Sequence, residues 1–264
     1  MASSAAMNRL LRTFLLAGLL ALPALASART EYGVEYVVRF LPEAGQADVS
    51  IRLVPGTGEA RHLRLLMPED RYPKVAGDGE ITRDGRYIEW TPPRGQPARL
   101  RFRHVVDHRR RDGGYDARMT DDWAILRLDD LVPRAVVRAT KGADSSARLR
   151  FVLPEGWTNV DTPYLRSRDG KAFVVTNPER RFDRPLGWMV AGAVGTRREQ
   201  VGPTEISVGG PKGDVIRRND TLAFLYNLVP EFEDAFGDVP RKLLIVSAGD
   251  PMWRGGLSGP RSLW

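Results

Sequence analysis

The 264-residue sequence contains no cysteine. That absence excludes disulfide cross-links, thiolate metal sites, a thiol nucleophile and a cysteine-linked lipid anchor. Histidine is scarce: only His62, His104 and His108 occur, with none in the second half. Lysine is scarce as well. Of 40 basic residues five are lysine, at 74, 141, 171, 212 and 242. Such an arginine excess reflects GC-rich coding more than physical adaptation, so the net charge of +7 carries little functional weight. After the first 28 residues no apolar run approaches the roughly 20 residues that span a bilayer. There is no fixed-period repeat and no low-complexity segment. What is present is a globular composition, 42% hydrophobic and 28% charged, at a length that suits one large domain or two smaller ones.

The first 28 residues read as an export signal. Arg9 and Arg12 form a positive start, Phe14–Leu22 an apolar stretch too short to cross a membrane, and Ala26-Ser27-Ala28 a small-x-small cleavage site. The leader carries two arginines and no acid, so its removal leaves a charge of +5. The expected mature chain starts at Arg29, is free of the membrane and is periplasmic or secreted. Export argues against a nucleic-acid partner. The basic stretch Arg99, Arg101, Arg103, Arg109, Arg110 and Arg111 lacks interleaved aromatics and reads as a solvated edge and loop.

From residue 31 to about 210, short alternating runs lie between turn signals. Val49, Ile51 and Leu53 alternate with Ser50 and Arg52, and Leu100, Phe102 and His104 share one face opposite Arg101 and Arg103. Pro55-Gly56, Asp84-Gly85, Asp112-Gly113-Gly114 and Asp169-Gly170 punctuate them. This pattern predicts a mostly β protein opening with an antiparallel β-sandwich. Gly209-Gly210-Pro211-Lys212-Gly213 reads as a linker. Beyond it, Leu222, Leu225, Val229, Phe232 and Phe236 form one face of a helix over 220–236, capped by Asn219 or Asp220 and ended by Gly237. Leu243–Val246 is then a short apolar strand. The expected division is 1–28 signal, 29–212 β-sandwich, and 213–264 the start of an incomplete α/β region whose helical stripe lacks a cover.

Self-contained catalytic sets are missing. On a strand, His104 and His108 lie about 13 Å apart, too far for one zinc ion. Gly256-Leu257-Ser258-Gly259-Pro260 approximates a nucleophile elbow, but an α/β-hydrolase needs its histidine downstream. Asp121-Asp122 and Asp129-Asp130 read as solvated loop ends. No catalytic residue and no metal ligand is therefore assigned, and no cofactor is expected in this chain.

The final third carries a resemblance. Phe236-Gly237-Asp238-Val239-Pro240 ends the helix, the strand Leu243–Val246 follows, and then comes Trp253-Arg254-Gly255-Gly256-Leu257-Ser258. This order resembles the opening of the catalytic domain of gluzincin zinc aminopeptidases of the alanyl and glycyl aminopeptidase type. Pro154-Glu155-Gly156-Trp157 is similar to a strand ending in their N-terminal β domain. The resemblance implies an N-terminal β-sandwich before a thermolysin-like α/β catalytic domain. It implies zinc for a full-length relative, held by H-E-x-x-H and a downstream Glu, and a peptide or protein substrate. By position, Gly255, Gly256, Leu257, Ser258 and Gly259 form the loop that lies along the substrate, with Ser258 where the family has its amine-binding Glu. No H-E-x-x-H occurs in the sequence. The expectation is a chain truncated before the zinc motif and inactive alone. The alternative is a non-enzymatic periplasmic β-sandwich that binds a protein, peptide or glycan.

Overall fold

A computed structural model describes residues 29–177, 180–214 and 217–264. The expected signal peptide lies outside them. The described residues form four sheets and a long helix, mostly β as the alternation predicts. A six-stranded sheet is built around Glu31–Leu41, which pairs antiparallel with Gln46–Val54 and parallel with Asp144–Val152. Its strands alternate buried and solvated residues, as in Gln46–Val54, because one face is wet. A four-stranded antiparallel sheet containing Ala60–Leu66 and Tyr87–Thr91 closes over it. Tyr36, Ile51, Leu63, Leu65, Trp90 and Leu100, all without solvent exposure, fill the space between.

A third sheet, with strands Tyr115–Met119, Trp123–Arg127 and Trp188–Gly192, forms a middle layer. Ala124, Leu126, Met189 and Ala191 point into the sandwich core. Ile125, Trp188 and Val190 point the other way, onto Leu244 and Val246 of the fourth sheet and Met252 of the loop that follows. Trp188–Gly192 is buried at every position, so period-two alternation is lost there. Gly192 holds φ at +118°, and a Cβ on it would sit 2.2 Å from the Asp122 carbonyl oxygen.

The fourth sheet runs Val194–Val201, Thr204–Pro211, Lys242–Val246, Ser262–Leu263, Ser258–Gly259. One sheet thus spans residue 213, where composition places the change of region. Gly209 and Gly210 are not a linker. They continue a strand, paired with Val246 and Gly195 respectively. Gly209 packs tightly on the middle layer: a Cβ there would sit 3.1 Å from a Val190 methyl, closer than ordinary contact. The turn is confined to Lys212, Gly213 and their neighbours.

The helix runs Arg218–Phe236, with Pro230 inside it. It starts two residues earlier than expected. Arg217 takes the N-cap position without a side-chain cap bond. Gly237 closes it in the left-handed region, its N–H donating to the Glu233 carbonyl at 2.8 Å. The stripe is not wholly uncovered either: Leu222, Leu225 and Val229 pack on Val201, Ile206 and Val208. Only the far end overshoots the sheet, leaving Phe232 44% and Phe236 74% exposed. Leu225→Ala is expected to cost about 2–4 kcal/mol and Phe236→Ala under about 0.5 kcal/mol. Urea unfolding of both variants measures the contrast.

Candidate functional site

Of Gly255–Gly259, Leu257 lines an open cleft of about 610 Å³. Trp188 lies in its wall with Leu257, and His108, Asp116, Arg127 and Asp130 face it from the middle layer. Pro68, Asp70, Arg71 and Arg86 come from loops and turns of the sandwich. Three layers of the fold therefore meet here.

Ser258–Gly259 and Ser262–Leu263 make a tight hairpin through Pro260-Arg261. Arg261 adopts φ +54°, unusual for a side chain-bearing residue. Its guanidinium is anchored to the Thr176 carbonyl and the Asn177 Oδ1 and lies over the Tyr164 ring. Leu257 and Trp264 exchange both backbone hydrogen bonds, at 2.6 and 2.9 Å. In an antiparallel ladder the next pair, Ser258 and Leu263, is then not hydrogen-bonded, so the Ser258 N–H and C=O point outward. Among the described residues no strand pairs on that outer side. The motif is an edge strand, not the strand-to-helix turn of a nucleophile elbow.

The loop before it is equally fixed. Trp253 N–H donates to the Tyr115 carbonyl at 2.8 Å, and Tyr115 N–H to the Pro251 carbonyl at 3.1 Å. The Trp253 indole folds over Gly255, where a Cβ would meet the ring at 2.2 Å, and the Arg110 guanidinium stacks on that indole. Trp188 Nε1 donates to the Leu257 carbonyl at 3.1 Å.

His108 is separated from His104 by structure as well as distance. His104 is in the sandwich core, whereas His108 begins a two-residue strand of the middle sheet. His108 Nδ1 is bonded to the Asp116 carboxylate across the hairpin turned by Asp112-Gly113-Gly114. The turn signal was legible in the sequence. Counting outward from it brings His108 beside Asp116, a pairing the sequence reading did not make. Asp129 and Asp130 are not solvated loop ends but half-buried on the short helix Leu128–Leu131. Asp129 accepts the Gly187 N–H at 2.8 Å. Burial raises the Asp130 carboxyl above the usual range, against the pull of Arg71 and Arg127.

This set can bind charged and hydrogen-bonding groups, with His108 Nδ1 bonded to the Asp116 carboxylate. No hydroxyl or thiol side chain is among the cleft-lining residues. Among the described residues no three metal-capable side chains come together, so these residues do not fit a zinc ion.

The sequence matches no protein-family model, and no curated protein is similar to it. Solved structures do resemble it. An aminopeptidase N family protein from Idiomarina loihiensis superposes with a TM-score of 0.62 at 12% identity, over 87% of this chain and 41% of that one. A mutant M1 zinc metallopeptidase from Deinococcus radiodurans gives 0.45 at 16% identity over 86% and 57%. Aminopeptidase A from Legionella pneumophila, in complex with aspartic acid, gives 0.45 at 10% over 82% and 29%. The chain spans about two fifths of the first neighbour's length, and its fold is that of part of an aminopeptidase N family protein.

Proposed function

We propose that this chain is the N-terminal region of an exported zinc metallopeptidase-like protein, not catalytic by itself, and that it contributes the edge along which a peptide substrate lies. The observation that carries the reading is the Ser258 edge. Its free N–H and C=O lie one residue along the chain from Leu257, which lines the cleft, in a fold that resembles an aminopeptidase N family protein. An extended peptide can add to such an edge by backbone hydrogen bonds. Zinc and the hydrolytic step belong to the full-length relative. Ser258 offers a hydroxyl where the family's Glu would pair with a substrate ammonium, so this edge selects extended backbone rather than a free amino terminus.

Titration calorimetry with unblocked and N-acetylated hexapeptides tests this. Both are expected to bind with similar, weak affinity. Ser258→Pro, which removes the N–H, is expected to weaken binding at least tenfold, and Ser258→Ala to leave it intact. Equal binding by the Pro variant would remove the edge from the mechanism. Binding of glycans but no peptide would favour the non-enzymatic module. That alternative draws support from the packing of Leu244 and Val246, which are as buried as the sandwich core.

A further inference from the structure

His104 lies opposite Ala47 in the register of the six-stranded sheet, with no exposure to solvent. Neither ring nitrogen has a hydrogen-bond partner. Almost all buried polar groups are paired, so an imidazole with both nitrogens idle is a weak point held in place by its surroundings. Its cover is the segment Pro68–Pro73. The Tyr72 ring packs on the imidazole at 5.1 Å between centroids, and the Tyr72 hydroxyl donates to the Asp130 carbonyl at 2.6 Å. Backbone bonds staple the segment on either side of His104: Arg103 N–H to the Pro73 carbonyl at 3.2 Å, and Val105 N–H to the Arg71 carbonyl at 2.9 Å. The Arg71 guanidinium donates to the Asp107 carbonyl at 2.8 Å. The same segment supplies Pro68, Asp70 and Arg71 to the cleft wall, and Asp130 faces the cleft beside them. The buried histidine thus stands directly behind one wall of the cleft.

We propose that His104 is an acid-operated latch: neutral, it lets Pro68–Pro73 lie flat on the strand, and protonated, it lifts that segment and opens the cleft wall at Arg71. While the segment is closed the imidazolium is desolvated, and the Arg71 carbonyl, already taken by the Val105 N–H, favours the charged ring less than burial and the Arg71 guanidinium disfavour it. The charged group that acts on it is the Arg71 guanidinium, which repels it. The Tyr72 phenol is neutral and committed to Asp130, and the strand beneath brings only Ala47. The nearby Asp107 carboxylate is occupied by Arg118 and the Met119 N–H. Burial first, and Arg71 second, hold the ring's pKa down to about 3. Once lifted into water the ring protonates near its ordinary value of about 6.5. The lifted state binds the extra proton, so opening is unaffected above that value. It rises about tenfold per pH unit below it, until pH reaches the folded pKa.

Amide hydrogen exchange on the whole chain tests this, with protection factors corrected for the intrinsic pH dependence of exchange. From pH 7.5 to 4.5 the Arg103 and Val105 amides are expected to lose protection about tenfold per unit below 6.5. The Trp188–Gly192 amides should hold. His104→Leu, or His104→Met should the first fail to fold, is expected to keep both amides protected throughout. Unchanged protection in the wild type down to pH 4.5 overturns the proposal. So does equal loss in the variant, or parallel loss in Trp188–Gly192, which would mean global unfolding.

Discussion

Lys242→Ala is expected to lower the free energy of unfolding by about 3–5 kcal/mol, because it takes the buried cation away from a fully buried carboxylate. Asp161 has no solvent exposure. Its Oδ1 accepts from Lys242 Nζ at 2.7 Å, and its Oδ2 from Arg198 at 2.9 Å and the Ser207 hydroxyl at 2.5 Å. Lys242 is itself 3% exposed and also reaches Glu205 at 3.1 Å. The cluster ties Asn159–Asp161 of the middle layer to three strands of the fourth sheet, Val194–Val201, Thr204–Pro211 and Lys242–Val246. Burial would raise the Asp161 pKa, but Lys242, Arg198 and the hydrogen bonds outweigh it and hold it below the ordinary carboxylate range. The folded state then binds fewer protons than the unfolded one. The cluster's stabilisation is therefore full above about pH 4 and is lost as pH falls through the lowered folded value. The double variant Asp161→Leu, Lys242→Met should be much less damaging than Lys242→Ala, since it leaves no buried charge behind. Urea unfolding at pH 7 reads both. A loss under about 1 kcal/mol for Lys242→Ala would show that the cluster is open to water in solution.

The same cluster marks where sequence reading stops. Asp161 and Lys242 are 81 residues apart, and nothing local in either segment announces the other. Alternation was readable wherever one face of a sheet is wet, so Gln46–Val54 and Ala98–Val105 stood out. The helix also stood out, since its inner residues recur at three and four. Val194–Val201 left no such trace. It is the outermost strand of its sheet, with Arg197, Arg198, Glu199 and Gln200 at its centre and burial at its ends. Gly209 misled because glycine allows close approach of two layers as well as turns. Of the cleft-lining residues, Leu257 could be named from the resemblance. Trp188, Arg71 and Asp130 could not, because they reach the cleft from three separate parts of the fold.

Trp188→Ala is expected to cost about 3–5 kcal/mol and to loosen the proposed substrate edge, whereas Trp188→Phe should keep most of the stability. The indole is fully buried and packs on Trp264 at 5.0 Å between centroids. Its backbone N–H donates to the Ser262 hydroxyl at 2.8 Å, and its Nε1 to the Leu257 carbonyl. One residue of the middle layer therefore holds both arms of the hairpin that carries Ser258. Truncation to Ala removes the ring from the contact with Leu244, Val246 and Met252 and opens a cavity between two layers. Phenylalanine restores much of that volume but not the bond to Leu257. The Leu257 carbonyl retains the Trp264 N–H as a donor, so it is not left unpaired, and the further loss should be about 0.5–1.5 kcal/mol. The two variants separate packing from positioning. Stability by urea unfolding should fall steeply only for Ala. Exchange of the Trp264 amide should quicken for both, and peptide affinity should fall for both if Leu257 must be held for Ser258 to present its edge. A Phe variant that binds peptide as well as wild type would show that packing alone sets the edge. An Ala variant that loses under about 1 kcal/mol would show that the fourth sheet does not rest on the middle layer in solution.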